Sequence, residues 1–394
     1  MSESPLMQAE QAVLGAVLLE PRQLGRLAGW LRPEHFYRPA HAALYTAMLD
    51  LRAQGHPATR APAGEPVPIS WVNGVQEGAG ARTRGVTAAY VHSLASACPR
   101  PAHAPVYGRM VLEGAIHRSV AEHAHRLHQA AREDAARGAG VAATLHHAQV
   151  LADVLDDLGR RWGTEPRPAH APTPQAAPRS VQVSADERVR DAEEFLLGVL
   201  ATHPHQMREV VGWLRPEDFS DPGHEHLYRA LGGLHHRGEP IDALTVLWEC
   251  QRRGTLADCT LDAERVRHLC ASAAGGSADY FAEQILDASL LRTATASARH
   301  IRDLADDKAL APGPLIHQAT AALVPLNEVR RWRAAAAEGE PDTAATKPSG
   351  APPEARAAAA RVRTTAPSAG TKPASSASMP ARTLRSVRPH RSPS

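Results

Sequence analysis

Gly29-Trp30-Leu31-Arg32-Pro33-Glu34 recurs unchanged as Gly212-Trp213-Leu214-Arg215-Pro216-Glu217. Six consecutive identities that include Trp and Pro mark an internal repeat, which has to be read before any local pattern. Outward from the hexapeptide, at a constant shift of 183, Ala9-Glu10 falls on Ala192-Glu193 and Leu14-Gly15 on Leu197-Gly198. Phe36 falls on Phe219, Pro39 on Pro222, His41 on His224, Leu44-Tyr45 on Leu227-Tyr228, Gly55 on Gly238 and Pro57 on Pro240. The shift then drops to 175, where Ile69 meets Leu244, Val91 meets Val266 and Leu94 meets Leu269. The eight extra residues of the first copy fall in the Pro/Gly-rich stretch Thr59–Pro68, as a surface-loop insertion would. At 174, Tyr107 meets Phe281 and Arg118 meets Arg292; at 170, Arg160-Arg161-Trp162 meets Arg330-Arg331-Trp332. Each copy is the size of a domain.

The repeat divides the chain into a first helical domain (1–162), a Pro-rich linker (163–187), a second helical domain (188–333) and a basic tail (334–394). Hydrophobic residues make up 43% and aromatics only 4%, so the cores must rest on Leu, Val and Ala, which favours helices over strands. Helical spacing unites Val13, Leu14, Val17 and Leu18, then Leu44, Tyr45, Met48 and Leu51, then Leu227, Tyr228, Leu231 and Leu234. Gly15 would allow another helix to come close, whereas Gly74, Gly78 and Gly80 weaken the helix expected in that part of the first copy. In the second copy Leu244, Leu247 and Trp248 follow Asp242 on one helix. Two long helices close each copy, from Tyr107 to Asp134 and Val141 to Trp162, and from Tyr280 to Ala305 and Pro314 to Trp332. The expected fold is all-α: two tandem small bundles, each followed by a helical hairpin. The Ala/Pro/Ser/Thr/Arg tail is expected to be disordered.

The formal net charge is +2, but nine basic and two acidic residues lie from Pro341 onward, which leaves 35 basic and 40 acidic for the rest. Any nucleic-acid contact therefore belongs first to the tail, with Arg382, Arg385, Arg388 and Arg391 as candidates for weak, salt-sensitive binding. The four cysteines form no C-x-x-C pair, so neither a disulfide framework nor a zinc site is expected. Met1 to Gln11 shows no leader, and no run of about 18 apolar residues occurs, so a soluble cytoplasmic protein without a membrane role is expected.

The order Ala-Glu, Leu-Gly, L-x-P-x-x-F-x-x-P-x-H-x-x-Leu-Tyr and G-x-P, present in both copies, resembles the N-terminal domain of the bacterial replicative DNA helicase DnaB. The second copy continues the likeness with Ile241-Asp242 and Thr245. The resemblance implies a globular part followed by a hairpin, hairpins that pair subunits, a surface that docks primase, and a place in DNA replication. The sequence departs from that family where its ATPase would follow. No G-x-x-x-x-G-K-[ST] loop and no Gly-Lys pair exist, so no catalytic residue, no cofactor and no helicase activity are expected. The expected role is a non-catalytic interaction module that binds helicase, primase or itself. A nucleic-acid-binding accessory protein acting through its tail is the alternative, and a helicase component is the third reading.

Arg160, Arg161 and Trp162, with Arg330, Arg331 and Trp332, are the candidate partner interface, because Trp and Arg are common interface anchors. Simple packing of the Trp, and Arg favoured at a helix C-terminus, is the rival reading. Trp30 and Trp213 are expected to pack under the following Pro turn. His41 and His224 are expected to make a structural hydrogen bond to the preceding loop, with no recurring acidic partner. His125 and His128 share a helix face within a His-rich stretch, but the second copy keeps only His300 and His317 there, so no metal site is expected.

Overall fold

The computed structural model describes residues 4–62, 64–138, 140–162, 185–256, 261–271 and 276–338, and all regular structure among them is helical. The expected linker and tail, Arg382 to Arg391 included, lie almost wholly outside the described residues. The first copy comprises α1 (Pro5–Leu19), α2 (Leu24–Leu27), α3 (Pro39–Ala53), α4 (Ile69–Gly80), α5 (Ala88–Ser96), α6 (Ala104–Arg137) and α7 (Ala142–Trp162). The second comprises α8 (Ala185–Thr202), α9 (Met207–Val210), α10 (Pro222–Arg237), α11 (Ala243–Arg252), α12 (Ala263–Ala271), α13 (Ala278–Asp306), α14 (Pro312–Ala322) and α15 (Val324–Glu338).

Local chemistry sets the starts of these helices. Proline occupies the first turn of α1, α3, α10 and α14, where its missing N–H costs nothing. The Asp221 carboxylate accepts from the N–H groups of Gly223 and His224, and Asp242 does the same for Leu244 and Thr245. Glycines then set how closely helices approach. A Cβ on Gly15 would lie 2.1 Å from the Leu94 carbonyl oxygen, so α1 can meet α5 only without a side chain there. The expected weakness of α4 is not seen. Gly74 and Gly78 lie against Leu51 and Ala47 of α3, while Trp71, Val75 and Ala79 fill the core. What those glycines lose in helix propensity, α4 recovers as contact with α3.

Each copy has its own apolar core, and a third core belongs to both. Leu112, Ile116, Val120, Ala124, Leu127 and Ala131 of α6 and Ala148, Leu151 and Leu155 of α7 are buried in one cluster with residues of the other hairpin. Those residues are Leu290, Ala294, Ala298, Ile301 and Ala305 of α13, Leu315, Ile316 and Ala319 of α14, and Leu323 and Leu326 after it. The two hairpins therefore form a four-helix bundle within one chain, and both copies lie in one compact unit.

α6 and α13 run antiparallel across it. His117 contacts Ala305 and Leu310 near the end of α13, and Arg118 shares a hollow with Arg302 and Asp306. Ala124 and Ala298, equivalent at the shift of 174, are both fully buried, and the antiparallel register that sets His117 against Ala305 brings them opposite one another. They mark a pseudo-twofold axis where small side chains let the helices cross.

The hairpins differ in detail. In the first, the buried Asp134 carboxylate accepts from the Thr144 N–H at 2.9 Å and hydroxyl at 2.8 Å, clasping the turn. In the second, the helix expected from Pro314 to Trp332 is broken between α14 and α15, where Pro325 lacks the N–H needed to continue the ladder. His117 joins the copies: its Nδ1 lies 2.8 Å from the Ala305 carbonyl and its Nε2 2.9 Å from that of Leu310. A carbonyl only accepts, so each contact is a hydrogen bond when the ring nitrogen facing it carries the proton.

Candidate protein-interaction site

The most deeply buried polar pair occurs in both copies. His41 Nδ1 donates to the Glu10 carboxylate at 2.7 Å, and His224 Nδ1 donates to Glu193 at 2.8 Å; all four side chains are fully buried. The same carboxylates accept backbone N–H groups of the following loop, Tyr37 at 2.5 Å and Ser220 at 2.5 Å. The expectation that no acid recurs beside these histidines is corrected: the acid is the Glu of the repeated Ala-Glu pair, 31 residues upstream in both copies. The anchor ties α1 to α3, and α8 to α10, and holds the loop between them. With imidazole and backbone occupying the carboxylate, its arrangement is that of a structural lock.

The far side of each histidine differs. His41 Nε2 meets the Tyr90 hydroxyl at 2.7 Å, whereas His224 Nε2 meets an Arg265 guanidinium nitrogen at 2.9 Å. Positions 90 and 265 are equivalents at the shift of 175. Arginine can only donate, so in this contact His224 Nε2 is the acceptor. Arg265 also pairs with Asp221 at 3.0 Å. Burial alone would raise the Asp221 carboxyl, but the Arg265 hydrogen bond, the neighbouring positive charge and the Gly223 N–H together outweigh it and hold the group below its usual range.

A second anchor also recurs. Arg118 donates to the His35 carbonyl at 2.7 Å, and Arg292 donates to the carbonyl of Asp218, its equivalent. Both tie a long helix to the Pro turn after the repeated hexapeptide. Burial lowers the pKa of His35 and raises that of Asp218, even though Ser289 and the Arg215 N–H bond to the Asp218 carboxyl. Trp30 and Trp213 are half-buried, and their indole N–H groups donate to the carbonyls of Arg26 and Glu209 at 2.9 and 2.8 Å.

The six candidate interface residues do not form one patch. Arg160 pairs with Asp156, and Arg161 with Asp157 at 3.1 Å, along an exposed face of α7, while Trp162 packs on the shared core. Arg330 reaches across to Gln149 of the first copy at 3.1 Å, Arg331 is exposed, and Trp332 lies under the Arg215 guanidinium at 4.1 Å. Gly159 faces Ile316 while Gln149 faces Arg330, so the two triplets sit at opposite ends of the bundle.

Another exposed apolar face was hidden in the sequence. On α11, Val246 and Cys250 face the core, which turns Leu244 (76% exposed) and Trp248 (61%) outward. Ile69, the equivalent of Leu244, is likewise 78% exposed. Spacing alone put Leu244, Leu247 and Trp248 together; only the contacts separate them. Burial pushes the Cys270 thiol up to about 11 and raises that of Cys250, so neither is a poised nucleophile. Among the described residues no group of His, Cys, Asp and Glu is arranged to hold a metal, and no helix is long and apolar enough to cross a membrane.

The family described as "DnaB-like helicase N terminal domain" matches residues 3–113 and 186–287, more than half of the chain. The chain is similar to the replicative DNA helicase DnaB of Mycobacterium leprae, 35% identical over 155 residues, which cover 38% of this chain and 23% of the relative. It is also similar to the replicative DNA helicase DnaB of Geobacillus stearothermophilus, 36% identical over 110 residues, which cover 28% of this chain and 22% of the relative. The chain thus spans less than a quarter of the length of these relatives, and the matched family is that of the N-terminal domain alone. No solved structure matches it significantly. Two matched segments, each carrying the same buried anchor, make the chain a member of the DnaB-like helicase N-terminal domain family with that domain in two copies.

Proposed function

We propose that this chain is a non-catalytic interaction module of DNA replication that binds a replicative helicase, a primase or a second copy of itself. The observation that carries this reading is the shared core of the two hairpins. It joins two helicase-type N-terminal domains into one paired body, which presents two related lobes to a partner at fixed spacing. Two linked sites raise the local concentration of the second contact once the first has formed. The sequence carries no phosphate loop, in keeping with a binding role. The hairpin ends at Arg160, Arg161 and Trp162 and at Arg330, Arg331 and Trp332 are candidate contacts, as is the face of Leu244 and Trp248.

Light scattering after size-exclusion chromatography, together with a pull-down using the cognate helicase and primase, tests this reading. Capture of either partner, or a stable dimer, is expected. A strict monomer that captures neither overturns it. Measurable ATP turnover with single-stranded DNA would move the chain to the helicase reading.

The second reading is nucleic-acid binding through the basic tail, supported by its nine basic residues against two acidic ones. Replacing Arg382, Arg385, Arg388 and Arg391 by Gln should lower DNA affinity and flatten its salt dependence. Unchanged affinity rejects the tail's role.

A further inference from the structure

α4 and α11 are equivalent helices at the shift of 175, and they turn the same side inward. Trp71 and Val75 of α4 stand where Val246 and Cys250 of α11 stand, and all four are buried. The outward faces therefore correspond as well. Residues four apart share a helix face, so the outer stripe of α4 is Ile69, Asn73 and Glu77, and that of α11 is Leu244, Trp248 and Arg252. All six are exposed, so both stripes face solvent.

The two stripes agree at one end and differ in complementary ways along the rest. Ile69 and Leu244 are both bare aliphatic side chains. At the next position the second copy carries the large indole of Trp248 where the first carries the short amide of Asn73. At the third, Arg252 stands where the first copy has Glu77. Glu77 has no ion-pair partner among the described residues, and Arg82, five residues on, is held by Asp50 at 2.6 Å instead. Arg252 lies 3.7 Å from Glu249, whose carboxylate is already engaged at 2.8 Å by Arg237 and by Arg253. Both charges are thus available to an incoming surface, beside an exposed Trp of the kind that anchors interfaces.

We propose that the α4 face of one chain docks on the α11 face of a second copy, the two helices side by side, parallel and in register. Ile69 then covers Leu244, Trp248 closes over the short Asn73, and Glu77 pairs with Arg252. Like faces fit worse. In register they set Arg252 against Arg252 or Glu77 against Glu77, and reversed they lay each charge over the aliphatic end. Each chain carries one face of each kind, so the contact is heterologous and leaves one α11 and one α4 open to further copies. The inference rests on the interaction-module reading and narrows its self-association to one pair of helices outside the hairpin bundle.

The test uses the full chain, with sedimentation velocity over a range of protein concentrations and circular dichroism to confirm that each variant keeps the parent's fold. The parent's mass should climb with concentration. W248A should associate about tenfold more weakly. E77R and R252E should each lose about fivefold, and E77R/R252E should recover the parent's affinity, because the pair is restored with its signs exchanged. Self-association through the hairpin ends or the tail would leave all four variants like the parent, and an α11 face that pairs with itself would give no recovery in the double variant. Either result overturns the proposal, as does a parent that stays monomeric at every concentration. A monomeric parent that still captures the cognate helicase or primase overturns this inference alone and leaves the interaction-module reading standing.

Discussion

The two copies keep the same lock and turn it against different stops. Glu10–His41 ends on the Tyr90 hydroxyl, while Glu193–His224 ends on the Arg265 guanidinium, which is itself held by Asp221. The carboxylate and imidazole are repeated because they hold a loop whose backbone must be satisfied. The outer partner is free to differ, because either a phenol or a guanidinium can donate to Nε2. The contrast separates what the fold needs from what each copy has since made of it.

The hardest way to break the comparison is to remove the carboxylate. Glu193→Ala leaves His224 Nδ1 and the Ser220 N–H without their buried acceptor and should cost about 3–5 kcal/mol. Glu10→Ala should cost less, because the Tyr90 hydroxyl can donate to or accept from the ring that remains, whereas Arg265 can only donate. Thermal and urea unfolding of both variants measure the difference, and equal losses would show that the outer partner is irrelevant.

The shared core comes next. Leu127→Ala or Ile301→Ala should each cost about 2–4 kcal/mol, and each should destabilise both copies. Hydrogen exchange in the copy that was not mutated is the decisive readout: unchanged protection there would mean that the hairpins do not couple the halves.

His117→Leu removes the His117 partner of the Leu310 carbonyl and leaves the Ala305 carbonyl with Lys308 alone, and should cost about 1–3 kcal/mol. Limited proteolysis near Leu310 should quicken, while α1 to α5 stay protected. Uniform loosening would place His117 outside the link between copies.

The smallest effect is a pH dependence of opposite sign at one repeat position. Burial lowers the His35 pKa, so the unfolded chain takes up the proton first, and stability present above about 6.5 is lost as pH falls. Burial raises the Asp218 pKa, so its contribution is full below the unfolded value of about 3.8 and is lost as pH rises through the folded one. Asp218→Asn should flatten the acid side of the stability curve, leave the side near pH 6 unchanged, and alter neutral-pH stability by about 1 kcal/mol or less. A variant whose acid limb matches that of the parent contradicts this assignment.

Much of this architecture was legible from the residues because repetition filters noise: a position that is apolar in both copies, such as Leu14 and Leu197, is a core position. The hairpins were legible from their helical stripes, but their mutual burial was not, since a stripe records that something covers it without recording what. The Glu10–His41 contact stayed hidden because 31 residues and a loop separate two ordinary side chains. Spacing placed Leu244, Leu247 and Trp248 on one helix without saying which face it buries; Val246 with Cys250 had the stronger claim on the inner one. The candidate Arg and Trp triplets were legible as a repeat, but their placement at opposite ends required the antiparallel crossing of the hairpins.

That crossing, marked by Ala124 and Ala298, has an evolutionary consequence. When two identical subunits meet on a dyad, every mutation lands twice and must suit both sides at once. Here the halves have separate codons. One side of the axis can hold imidazoles where the other holds guanidiniums, and one helix can be snapped by a proline while its counterpart stays whole. Fusion has released the interface from the obligation to match itself, so specialisation can proceed one substitution at a time.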